Sequence, residues 1–69
     1  MEQIKIESDY IKLDQFLKLA AVVQTGGEAK MMIQDGEILV NGEVCTQRGK
    51  KLRVDDTVEI LGYKEFIVV

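Results

Sequence analysis

Apolar and polar positions along the 69-residue chain change period twice. "QIKIE" near the start alternates, with Ile4 and Ile6 on one face, and reads as a short strand; "ESDY" after it reads as a turn. From Leu13 the apolar residues recur at helical spacing, as Leu13, Phe16, Leu17 and Ala20, with Asp14, Gln15 and Lys18 on the other face. This predicts a helix over about 13–22, with Val22 and Val23 at its frayed end or in the bend beyond. Ala29, Met32 and Ile33 repeat the stripe and predict a second helix over about 26–35. Past Gly36 the period becomes two. "EILV" puts Ile38 and Val40 on one face, "EVCT" is its return strand, "TVEIL" turns Val58 and Ile60 inward, and "EFIVV" closes the chain. Between them "QRGKKLRVDD" reads as a polar connection bending at Gly49. The order of strand, two helices and several strands is that of an α+β protein, read as a single domain over 1–69.

Turn chemistry sharpens the boundaries. Thr25 followed by Glu28 is a capping box, in which hydroxyl and carboxylate each take a backbone amide of the other residue. Gly36 stands where a left-handed residue ends a helix. Asn41-Gly42 is a strong hairpin signal, because both central residues of that turn need positive φ.

Composition removes whole classes of chemistry. The chain has no His and one Cys, so metal clusters and Ser/His or Cys/His pairs are excluded, and no cofactor is expected. The adjacent Asp55 and Asp56 read as an acidic turn, so the chain is expected to be non-catalytic. Cys45 cannot form an internal bridge and reads as a small strand hydrophobe. The N-terminus lacks a basic, then apolar, leader, and the longest apolar run, "LAAVV", is too short to span a bilayer. A cytoplasmic protein without a membrane is expected. At this length roughly 60% of the unfolded surface is buried, so the core is modest. Met31 and Met32 are adjacent, so only one can face it squarely.

Charge raises the main question. Twelve Asp plus Glu outweigh nine Lys plus Arg, for a net −3, yet "RGKKLR" at 48–53 gathers four cations. Phosphate binding follows local charge and counterion release, not the net value. Arg48, Lys50, Lys51 and Arg53 can therefore form a phosphate-binding patch on an acidic body, whose remainder turns a polyanion away from wrong faces, or a solvated loop whose charges balance Asp35, Glu37, Glu43, Asp55 and Asp56. Gly26 and Gly27 open the second helix, where unpaired amides and the dipole suit an anion and bare backbone permits close approach; they also ease a tight bend. Lys30 points outward from the same turn. The two Phe and two Tyr are not interleaved with cations, so base-stacking platforms are not expected; Phe16 fits the core stripe, and Tyr10 and Tyr63 read as partial core or rim. Recognition of backbone and shape in folded RNA fits better.

"IKLDQFLKLA", "TGGEAKMMIQDGEILVNGEV" and "RGKKLRVDD" together resemble the RNA-binding domain named for ribosomal protein S-four, the αL motif, and the full chain is similar to its small stand-alone bacterial YaaA/YbcJ-like group. The resemblance implies two helices packed on a small, mostly antiparallel sheet of about four to five short strands. It implies binding of structured RNA, ribosomal or transfer RNA, with a role at the ribosome or in RNA maturation. Carried over residue by residue, it assigns RNA contacts to Lys12 (where the family usually has Arg), to Thr25, Gly26 and Gly27 at the second helix start, and to Lys30 and Gln34 on its exposed face. Arg48, Lys50, Lys51 and Arg53 complete the set. A monomer is expected. The acidic balance keeps a second reading open, a protein-interaction adaptor with weak RNA affinity.

Overall fold

The computed structural model describes residues 1–69. The N-terminal alternation forms β1 (Glu2–Ile4), and a second short strand, β2 (Ile11–Lys12), leads directly into α1 (Leu13–Leu19). Then come α2 (Gly26–Gln34), β3 (Ile38–Val40), β4 (Glu43–Val44), β5 (Lys51–Leu52), β6 (Thr57–Ile60) and β7 (Lys64–Val68). Five strands form one sheet in the order β1-β7-β6-β3-β4, and β2 with β5 forms a separate two-stranded ladder. Only β1 and β7 run parallel; the other pairs are antiparallel. This is the expected α+β architecture.

Thirteen residues build the core. Leu13, Phe16 and Leu17 come from α1, Ala29 and Ile33 from α2, and Ile38, Val40, Val58, Ile60, Phe66 and Val68 from one face of the sheet. The rings of Phe16 and Phe66 meet edge to face, 5.9 Å between centroids at 80°, tying α1 to the sheet. Met32 packs against the core while Met31 is exposed. The hairpin turn has the expected form, with φ of 51° at Asn41 and 85° at Gly42, and Gly36 ends α2 at φ 76°.

The structure departs from expectation in several places. First, α1 stops at Leu19 instead of reaching Val22. Ala21 takes φ 59°, and the amides of Ala21 and Val22 return to the carbonyls of Lys18 and Leu17. A left-handed alanine costs about 1–2 kcal/mol. Burying a valine returns roughly 1.5–3 kcal/mol, and Val23 is buried beneath this bend. Burial wins.

Second, the polar connection holds β5, whose Leu52 is buried between exposed Lys51 and Arg53. Third, Asp14 is not on an outer face; only 8% of it is exposed, because the 47–50 bend folds over the start of α1. Strands β1 and β4 are also shorter than read, and Cys45 lies just past β4, half-buried against the core. At the sheet edge the Lys64 ammonium bonds the Glu2 carboxylate at 3.1 Å, which raises the Lys64 pKa above its ordinary 10.5. No helix is long and apolar enough to cross a membrane.

Candidate nucleic-acid interface

Five of the sequence-predicted residues converge where α1 begins. Lys12 is the N-cap of α1 and offers no side-chain cap. The bend supplies what is missing: the Leu13 amide donates to the Lys50 carbonyl at 2.8 Å, and the Asp14 amide to the Arg48 carbonyl at 3.1 Å. The Asp14 carboxylate accepts from the Gln15 amide at 2.8 Å and pairs with the Arg48 guanidinium at 3.5 Å. The basic bend is thus pinned to the helix start by both backbone and side chain.

The β2–β5 ladder then sets Lys12 directly opposite Lys51. Like charges facing across a ladder destabilise it, and cations at a helix N-terminus oppose the dipole. An aromatic ring offsets part of this cost. The Lys51 ammonium lies 4.8 Å, and the Arg53 guanidinium carbon 5.7 Å, from the centroid of Tyr10. Arg53 is also held by its backbone, its amide donating to the Asp56 carboxylate at 2.8 Å. The other oxygen of Asp56 accepts from Asn41, whose own side-chain carbonyl takes the Thr57 amide. Asp55 lies at φ 79°, its amide on the Val68 carbonyl. The acidic pair is a turn, as its composition suggested.

The remaining five residues sit on α2. The capping box is complete: Thr25 Oγ1 accepts from the Glu28 amide at 3.2 Å, and the Glu28 carboxylate accepts from the amides of Thr25 and Gln24, each at 3.1 Å. The first intrahelical bond runs from the Ala29 amide to the Thr25 carbonyl. The amides of Gly26 and Gly27 have no partner in the chain. Neither glycine has positive φ, and a methyl at Gly26 would meet nothing within 4 Å. The fold itself therefore makes no demand for glycine at Gly26. Lys30 and Gln34 are exposed on the same helix.

The sequence-predicted residues thus form two groups. Lys12, Arg48, Lys50, Lys51 and Arg53 are linked by ladder, bend and ring. Thr25, Gly26, Gly27, Lys30 and Gln34 share α2, which meets the first group through its packing on α1, with no hydrogen bond or ion pair between the groups. Sequence reasoning missed Tyr10 and Asp14. Local spacing cannot show either role, because the cations at Tyr10 are Lys51 and Arg53 and the partner of Asp14 is Arg48, all distant in sequence. Nowhere are three His, Cys, Asp or Glu residues grouped to hold a metal ion.

Residues 4–69 match the family model described as the S4 domain. Over 66 residues, spanning 96% of this chain and 93% of the relative, the chain is 52% identical to the probable ribosome maturation protein RlbA of Bacillus subtilis (strain 168). The chain belongs to the S4 domain family.

Proposed function

We propose that this protein binds structured RNA through its phosphate backbone, without catalysis, and serves ribosome maturation with ribosomal RNA as its partner. One observation carries the reading: Lys12 and Lys51 face each other across a two-stranded ladder, with Arg53 beside them. That arrangement is costly in the isolated chain and becomes favourable when a polyanion lies across it. Lys50 and the half-exposed Arg48 extend the patch. The unpaired amides of Gly26 and Gly27, with Lys30 and Gln34 beyond them, add a second backbone contact. The name of the Bacillus subtilis relative supports the choice of ribosome maturation.

The test is a salt titration on a labelled ribosomal RNA stem–loop. Each lost phosphate contact lowers the slope of log affinity against log salt by about 0.7–0.9. The triple variant Lys12→Gln, Lys51→Gln, Arg53→Gln is expected to flatten that slope by about 2–3 while leaving the fold intact. Equal affinity and slope for variant and parent would overturn the assignment.

A protein-binding role is favoured by a different observation. On the sheet face turned away from the helices Glu59 lies directly opposite Glu65, beside Leu39 and the 58%-exposed Val44, and neither glutamate has a salt-bridge partner. A basic partner protein retained after ribonuclease treatment, and indifferent to the triple variant, would replace the RNA reading.

A further inference from the structure

We infer that Tyr10 is a positioning residue of this interface: its ring holds Lys51 and Arg53 in place while leaving their charge free for phosphate, an inference that rests on the RNA reading above. The ladder pairs Ile11 with Leu52 and Lys12 with Lys51. Continued by one step, the same register sets Tyr10 across from Arg53. Side chains alternate along a strand, and Leu52 is turned into the core. Tyr10, Lys12, Lys51 and Arg53 therefore stand together on the opposite, solvent-facing side of the ladder, three cations and one ring at the corners of a square. The distances of 4.8 Å and 5.7 Å from the ring centroid put both Lys51 and Arg53 within cation–π range.

The chain holds its basic residues by two different means. Arg48 is held by the carboxylate of Asp14, which offsets part of its charge toward a ligand. Lys51 and Arg53 are fixed by a neutral ring, which attracts each through its quadrupole and removes none of their charge. Crowded cations would otherwise splay apart and lose side-chain freedom on binding, a cost that the ring lowers by ordering them beforehand. Tyr10 is itself anchored: it is half-buried, the next residue is in the ladder, and the Ser8 hydroxyl donates to its carbonyl at 2.7 Å. The same comparison separates three cations of the bend, with Arg48 tying the bend down and Lys51 and Arg53 meeting the phosphates.

The experiment is a binding cycle on the labelled stem–loop. Tyr10→Leu is expected to weaken binding about three- to tenfold, while Tyr10→Phe, which keeps the ring, stays within about twofold of the parent. In the Lys51→Gln, Arg53→Gln background, Tyr10→Leu should cause no further loss. Proton NMR supplies a readout without RNA: ring-current shifts on the Lys51 and Arg53 side chains should persist in Tyr10→Phe and vanish in Tyr10→Leu. Parent-like affinity for Tyr10→Leu, or an equal loss in both backgrounds, overturns the positioning role alone. If Lys51→Gln with Arg53→Gln costs no affinity, the RNA reading of the ladder falls instead, and the inference with it.

Discussion

Gly26 and Gly27 occupy the first turn of a helix in which alanine would be the better former. A methyl added at Gly26 meets nothing, and one at Gly27 comes no nearer than 3.9 Å to Thr25 Oγ1, so neither substitution strains the fold. Gly26→Ala with Gly27→Ala should stabilise the protein, by up to about 0.5–1 kcal/mol per site, seen as a raised urea midpoint. The same pair should weaken RNA binding, since the methyl groups stand between a phosphate and the bare amides. A raised midpoint with unchanged affinity would mean that these amides face solvent only. Opposite signs for stability and binding are the mark of a residue retained for contact, because a packing residue moves both the same way.

At the scale of elements, β5 does more than its two residues suggest. Leu52 fastens the cationic ladder to the core, and the exposed residues on either side carry the charge. Leu52→Ala is expected to cost about 2–5 kcal/mol, a large part of the stability of so small a domain. Lys51→Ala next to it should stay within about 0.5 kcal/mol. Chemical denaturation of the two variants checks the contrast; comparable losses would mean that the ladder is not anchored through Leu52. Elements whose signals are local were legible in the sequence. Thr25 and Glu28 are three residues apart and specify their own hydrogen bonds, and Asn41-Gly42 specifies its own dihedrals. The end of α1 was not legible, because an alanine accepts the left-handed turn only where Val23 is buried beneath it. Nor was β5, since one apolar residue between cations is too short a pattern to show a period. Arg48, Lys50, Lys51 and Arg53 could be read from the local run of charge, and Lys12 only through the family resemblance. Tyr10 and Asp14 could not, because each acquires its role from a partner that only tertiary folding delivers.

Across the whole molecule, charge is distributed unevenly. The net value is −3, yet the basic ladder and the Glu59–Glu65 face belong to different sheets. Were net charge in control, removing two negative charges would tighten RNA binding as much as removing two positive ones weakens it. The local arrangement predicts asymmetry. Glu59→Gln with Glu65→Gln should shift affinity by less than about threefold at physiological salt, where charges more than about 8 Å away are largely screened. Lys12→Gln with Lys51→Gln should weaken it by an order of magnitude or more. Equal and opposite effects in a direct titration of both variants would favour a diffuse field over a defined contact surface.

The parallel pairing of β1 with β7 sets an order in time. Residues 2–4 have their sheet partner in residues 66–68, so that edge must wait until almost the whole chain has been synthesised. The helices, the Asn41 hairpin and the cationic ladder draw on segments made earlier. The segments that form the proposed RNA surface are thus made before the last strand, but Leu52 finds its full core only when Phe66 and Val68 arrive.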